Sequence, residues 1–396
     1  VIAATRSLAP DPAVRHRDAL LDAASLAPQL GAALGAEVDA CALELAHYRV
    51  GSRLSTLYRV RAGGRAQRVS ARTFASAQRA EEVARQSAPA TCDAGLATVF
   101  WAYPHDRRIP ALPALRDGRL VRYVPERAAI AAWDDAAGRP VGFAKAYGNA
   151  SGGRAVRAQT ALSRALGDDD PHLRVPRVLG WWPDLRLLAS EALPGRALID
   201  LDARELEGAL ARFGAALARL HGLRLPVALP YGGRLPVRIR RVVDAVVRVR
   251  PDQAPAAREL YRALCQSRRP RYEGDLVTLH GDATVSNALL AEGRVSLIDL
   301  DGVALGPASV DFGRMLAWLA TRRVLGRIDA AGHDRLRGAF LSGYASLRPL
   351  PPAAALRWHC AAATLEGRGR QAVSWLDAEA AEHLGVLLAD ARGLLA

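Results

Sequence analysis

Residues 276–302 read LVTLHGDATVSNALLAEGRVSLIDLDG. The apolar run at 276–279 predicts a buried strand that delivers His280, Gly281 and Asp282 to a loop. Asn287 follows five positions after Asp282. ALL and VSLID then predict two short strands joined by a turn at Glu292 and Gly293, a hairpin that carries Asp299 back beside Asn287. One carboxylate on a loop thus meets an amide oxygen and a second carboxylate on a hairpin. Phosphoryl transfer uses such a set: one group to position or deprotonate a hydroxyl, and hard oxygen ligands for magnesium.

The pattern His-Gly-Asp, four residues, Asn, then Ile-Asp resembles the aminoglycoside phosphotransferase and choline kinase branch of protein-kinase-like enzymes. The resemblance implies an α+β, two-lobed fold, with ATP and Mg2+ as cofactors and a hydroxyl-bearing acceptor. Carried across position by position, it makes Asp282 the catalytic base and Asn287 and Asp299 the magnesium ligands. Asp301 follows as a candidate second acidic contact, and His280 as a brace of the loop.

Just downstream, Asp311, Phe312 and Gly313 spell the metal-binding tripeptide of protein kinases. They lie too far beyond Asn287 for that role and open a helical pattern, DFGRMLAWLA. By the resemblance Asp311 supports the catalytic loop from the start of a C-lobe helix, where its charge also suits the helix N-terminus. Upstream, RELEGALARFGAALARLHGLRLP places Leu206, Leu210, Phe213, Leu217 and Leu220 on one helical face. Asp202, with Glu205 three residues on, signals its start. LARLHGL is similar to the family's helix beneath the catalytic loop. LLASEALPGRAL resembles its hinge, which implies that Glu191, Ala192 and Leu193 present backbone groups to adenine. A buried strand entering a Pro-Gly turn explains the same letters.

Of 54 basic residues one is a lysine, Lys145, inside the strand-like segment PVGFAKAY. A compact ammonium and a guanidinium are not equivalent against phosphate oxygens, so the retained lysine singles out this strand. The resemblance makes it the contact to the α- and β-phosphates. The next helix, GGRAVRAQTALSRAL, should then supply an acidic partner, but it holds neither Asp nor Glu and Gln159 is its nearest polar candidate. That departure keeps open a second reading, a non-catalytic, kinase-like nucleotide-binding or scaffold protein.

Residues 48–86 and 123–159 read as two copies of one strand-and-helix unit. From Arg72 onward the offset is constant, pairing Arg72 with Lys145, Phe74 with Tyr147 and Gln86 with Gln159. Biased Arg/Ala composition offers a competing explanation. The expected organisation is an N-terminal accessory domain at 1–115 as a degenerate N-lobe repeat, an N-lobe and hinge at 116–195, and a mainly helical C-lobe at 196–396.

The bulk properties set limits on partners. The net charge is +14, but arginines are spread over every segment without an aromatic platform or DNA-binding motif, so nucleic acid is an unlikely partner. The basic balance suits an anionic ligand such as ATP and argues against a polycationic acceptor. An antibiotic, sugar or other natural product, or a Ser/Thr hydroxyl of a peptide, remain the acceptor classes. Asp377, Glu379 and Glu382 read either as acceptor contacts or as a solvated helix face. Four cysteines without C-x-x-C spacing predict reduced thiols and a cytoplasmic location. No run approaches the ~18 apolar residues of a membrane span, and nothing sets an oligomeric state.

Overall fold

The computed structural model describes residues 8–87, 89–225, 230–231, 234–267 and 276–396. Two short helices, α1 (Arg17–Leu21) and α2 (Ala27–Leu34), precede a first sheet. Its strands are β1 (Val38–Arg49), β2 (Arg53–Ala62), β3 (Arg65–Thr73), β4 (Thr91–Asp93) and β5 (Thr98–Ala102). Helix α3 (Ala77–Gln86) intervenes between β3 and β4, opened by Ser76, whose side chain accepts from the Arg79 amide. The strands lie in the order β1-β2-β3-β5-β4. Trp101 is buried in β5, as are three of the other four residues of that strand, so no alternation marks it in the sequence.

A second sheet follows from β6 (Arg119–Val124), β7 (Ala128–Asp134), β8 (Pro140–Tyr147), β10 (Val178–Trp182) and β11 (Leu187–Glu191), with helix α4 (Gly152–Leu166) after β8. The two-residue β9 (Leu173–Arg174) joins a different sheet. The order β6-β7-β8-β11-β10 repeats that of the first sheet. Pairing positions repeat as well. Arg72 on β3 lies opposite Ser55 and Val99, and Lys145 on β8 opposite Ile130 and Leu188. At the far edge Cys92 faces Val99 as Trp181 faces Leu188. A one-residue slip would turn every side chain to the other face, so shared register is a demanding likeness.

Beyond the hinge come β12 (Arg196–Ala197) and α5 (Ala203–Gly222). Asp202 and Glu205 form a reciprocal capping box at the start of α5. Helices α6 (Arg234–Val249) and α7 (Ala254–Gln266) lead to β13 (Val277–Leu279). The hairpin of β14 (Ala288–Ala291) and β15 (Arg294–Leu297) turns at Glu292 and Gly293, both at positive φ as a two-residue hairpin turn requires. After β16 (Ala304–Gly306) the chain is helical: α8 (Ser309–Val324), α9 (Ala330–Ala345), α10 (Ala353–Ser374), α11 (Ala378–Glu382) and α12 (Leu384–Gly393).

Two of the hydrophobic cores among the described residues are the largest. One gathers α4, α5, α8 and α9 around Phe213, Phe312 and Phe340 under the loop at 280–287. There α5 and α9 touch backbone to backbone: a Cβ at Gly343 would sit 1.8 Å from the Ala211 carbonyl oxygen. The other core runs from the first sheet into α6, α7, α10 and α12. Among the described residues no helix is long and apolar enough to cross a membrane.

Candidate active site

Strand β13 ends at Leu279, and the loop that follows is held from below by one buried carboxylate. Asp311, in the first turn of α8, accepts the backbone N–H groups of His280 (2.8 Å) and Gly281 (2.9 Å). His221 at the end of α5 approaches the same carboxylate at 3.2 Å, and its other ring nitrogen meets the Tyr344 hydroxyl at 3.0 Å. Burial opposes the charge on Asp311, but the hydrogen bond and charge of His221, with His280, outweigh it and hold the carboxyl below its ordinary range. Gly281 sits at φ +80°, where a Cβ would lie 2.1 Å from the Gly302 carbonyl oxygen. The loop therefore abuts the segment that carries Asp299 and Asp301.

Asp282 stands at the tip of this loop. Asn287 donates from Nδ2 to the Asp282 carbonyl (3.0 Å) and to its Oδ2 (3.3 Å). Arg314, one helical turn past Asp311, reaches Asp282 Oδ1 at 3.1 Å. The Ile298 amide donates to the Asn287 carbonyl, so Asp299 follows directly beside Asn287, in a left-handed conformation at φ 59°. His280 shares a hydrogen bond with the Ile298 carbonyl at 3.0 Å, tying loop to hairpin.

Lys145 reaches across from the second sheet. Its ammonium donates to Asp299 Oδ1 (2.8 Å) and Asp301 Oδ2 (2.7 Å), and Tyr147 donates to the other Asp301 oxygen (2.9 Å). Burial favours the neutral amine, yet Asp301 and Asp299 together raise the Lys145 pKa above its usual value. Burial likewise works against the Asp299 charge, and Lys145 overcomes it, holding that carboxyl below the usual carboxylate range. Gln159 plays no part in this cluster. Its amide is buried and donates to the Pro176 carbonyl and the Ser190 hydroxyl.

At the hinge, the Glu191 N–H donates to the Arg177 carbonyl and the Ala192 N–H to the Val141 carbonyl. The Glu191 side chain is held by Arg174 and Arg177. Asp377 caps α11 and Glu379 pairs with Arg327, the roles of a solvated surface.

Asp299, Asp301, Lys145, Asp282 and Asn287 thus meet where the second sheet faces the loop at 280–287. Sequence reasoning missed Arg314, whose contact crosses from a helix to a loop with no spacing to announce it. It also missed Tyr147, although two residues past Lys145 on one strand means the same face. Among the described residues no three His, Cys, Asp or Glu side chains gather as metal ligands. The oxygen set here is a carboxylate and an amide. With Nδ2 of Asn287 turned to Asp282, its Oδ1 is left to serve a hard cation beside Asp299, a donor set that fits magnesium.

The chain was compared with known families, curated proteins and solved structures. No match to a curated protein was found. Among solved structures, the amicoumacin kinase hAmiN with AMP-PNP, Ca2+ and Ami superposes with a TM-score of 0.51 at 14% identity, covering 69% of this chain and 88% of that one. A thermostable mutant of the aminoglycoside phosphotransferase APH(4)-Ia with AMP-PNP and hygromycin B gives 0.51 at 14%, covering 71% and 93%. The aminoglycoside phosphotransferase APH(3'')-Id from Streptomyces rimosus gives 0.47 at 20%, covering 68% and 96%. The first two share the two-lobed, kinase-like fold. Residues 151–350, half of the sequence, match the phosphotransferase enzyme family, APH, and the chain belongs to that family, as a kinase that acts on a hydroxyl acceptor.

Proposed function

We propose that this protein moves the γ-phosphate of ATP to a hydroxyl of a small molecule, an antibiotic, sugar or other natural product, or of a Ser/Thr in a peptide. The observation that carries this reading is the meeting of Lys145 with Asp299 and Asp301 beside the Asp282–Asn287 pair. ATP supplies the phosphoryl group, and magnesium neutralises charge on the phosphates. Asp282 accepts the proton of the attacking hydroxyl, and Arg314 with Asn287 fixes its two oxygens in place. Asn287 Oδ1 and Asp299 offer oxygens to the metal. Lys145 exchanges Asp299 for phosphate oxygens while Asp301 and Tyr147 keep its stem aimed. The backbone at Glu191, Ala192 and Leu193 borders the base.

The test is Asp282→Ala with labelled ATP. General-base contributions run about 10²–10⁴-fold, so transfer or slow ATP hydrolysis should fall at least that far. Near-wild-type turnover by the variant defeats the assignment.

One observation favours the non-catalytic reading: the ammonium of Lys145 sits on Asp299, a residue the metal needs. ATP binding that ignores magnesium in a thermal-shift assay would support a scaffold. Binding that requires magnesium would support the enzyme.

We infer also that residues 1–115 hold a second, non-catalytic copy of the N-lobe unit at 116–195, ahead of the C-lobe at 196–396. Strand order and pairing positions support it. So does a side-chain correspondence: the Arg72 guanidinium lies 4.9 Å from the Phe74 ring centre, and the Lys145 ammonium 5.2 Å from that of Tyr147. In the first copy the cation is engaged elsewhere. Arg72 donates to both oxygens of the buried Glu126 at 2.6 Å, at the turn between β6 and β7, where Arg107 joins it at 2.5 Å.

A further inference from the structure

Below the turn between β1 and β2, a cavity of about 540 Å³ lies between that turn and helices α6 and α10. Its walls carry Arg49, Arg238, Arg241, Arg248 and Arg370, with Glu366 buried among them. Glu366 is already engaged, 3.5 Å from Arg314 and 3.7 Å from Arg238. The one other acid in the wall, Asp244, is 71% exposed and lies 4.0 Å from Arg240. Arg49, Arg241, Arg248 and Arg370 therefore face the space with no carboxylate within ion-pair reach among the described residues. Arg238 has a buried Nε without a hydrogen-bond partner and gives its terminal nitrogen to the Tyr231 hydroxyl.

The surrounding field is positive as well. Beside the cavity, burial of His47 and the charges of Arg127, Arg53, Arg370 and Arg49 push that imidazole down to about 4. Concentrating like charges is costly unless an anion relieves it, and guanidinium groups match phosphate, sulfate and carboxylate oxygens in pairs. The volume suits a small organic ligand. The cavity also connects to the chemistry. Arg314 bridges Glu366 in its wall to Asp282 Oδ1, so three ion pairs in series, Arg238–Glu366, Glu366–Arg314 and Arg314–Asp282, link the arginine cluster to the proposed base.

We propose that this cavity binds an anionic group of the acceptor, so that the molecule receiving the phosphoryl group is a hydroxyl compound that already bears a phosphate, sulfate or carboxylate. The proposal rests on the reading of Asp282 as the base. It also makes the first N-lobe copy part of the acceptor site, because the tip of its first hairpin, at Arg49 and Val50, closes one side of the cavity.

The test uses the full chain loaded with AMP-PNP and magnesium, with inorganic sulfate replacing chloride at constant ionic strength. Sulfate should raise the thermal midpoint of the wild type more than that of the double variant Arg241→Ala, Arg370→Ala, both at exposed positions. Equal rises overturn the site. Sulfate should also slow ATP hydrolysis at saturating ATP, because an anion held beside Glu366 competes for Arg314 and loosens its hold on Asp282, and should need at least a tenfold higher concentration in the double variant. Hydrolysis untouched by saturating sulfate overturns the acceptor assignment and leaves a site for a free anion. If Asp282→Ala hydrolyses ATP like the wild type, the phosphotransferase reading fails instead, while the sulfate shift still decides the anion site. Should the double variant not fold, Arg241→Gln alone, read by the same midpoint difference, takes its place.

Discussion

Asp311 shows how much can hang on a carboxylate that meets no substrate. Its Oδ1 serves the half-buried Gly281 amide and its Oδ2 the buried His280 amide and His221. Asp311→Asn keeps the shape but turns one acceptor into a donor aimed at donors. Leaving such buried groups unsatisfied costs about 1–3 kcal/mol each, so about 3 kcal/mol of stability should go, with transfer activity falling alongside as the loop loosens. The pH dependence has a definite sign. The folded-state pKa of Asp311 is depressed, so its contribution is complete above the ordinary aspartate value of ~3.9 and is lost as pH falls through the lower folded value. Urea midpoints of wild type and variant should therefore differ by a constant amount above about pH 5 and converge in stronger acid. A gap that persists unchanged to pH 2 would rule out the charge as its source. Asp282, Asn287 and Asp299 were legible in the sequence because loop and hairpin spacing place them locally, whereas Asp311, on the next helix, was read from the family resemblance. The partners of Lys145 were not, since Asp299 and Asp301 lie more than 150 positions away and nothing local announces the approach.

At the scale of elements, α4 is where sequence reasoning and structure part. A helix following the lysine strand was expected to supply an acid, and the helix forms over Gly152–Leu166 with Ala155, Ala158, Gln159 and Leu162 buried. Gln159 faces the sheet, its Nε2 joining α4 to the Pro176 carbonyl and to Ser190 on β11. The ammonium finds its counter-charges on the segment after β15 instead. Installing the expected acid should therefore do harm. Gln159→Glu would set a carboxylate against a carbonyl oxygen and remove two donated hydrogen bonds, costing about 1–3 kcal/mol. We expect a lower thermal midpoint and no gain in kcat/KM. A variant both as stable as the wild type and faster would mean that this helix reaches Lys145 after all. The helices and hairpins themselves were readable from periodicity and turn residues, as at the Asp202 capping box and the Glu292-Gly293 turn. Strand β5 was not, because five residues buried on both faces carry no alternation.

For the whole molecule, the question is whether the first sheet is an appendage or part of the frame. Tyr48, Tyr58 and Phe100 of the first sheet belong to the same continuous core as Val246 of α6, Leu260 of α7, Leu365 of α10 and Leu388 of α12. Each of these residues is at most 1% exposed. Removing the first sheet would uncover the matching faces of those helices, and apolar burial is worth about 25 cal/mol per Å² against a net stability of roughly 5–15 kcal/mol for a domain. A face of that extent cannot be surrendered without losing the fold around it. The same helices α6 and α10 also wall the arginine-lined cavity, so the damage would reach the proposed anion site. Deletion of residues 1–104 should therefore give an aggregating chain without a cooperative transition. The intact protein should unfold in one calorimetric transition whose calorimetric and van't Hoff enthalpies agree. An independent accessory domain predicts the opposite on both counts: two transitions in the full chain, and a truncated chain that stays soluble and binds ATP with wild-type affinity.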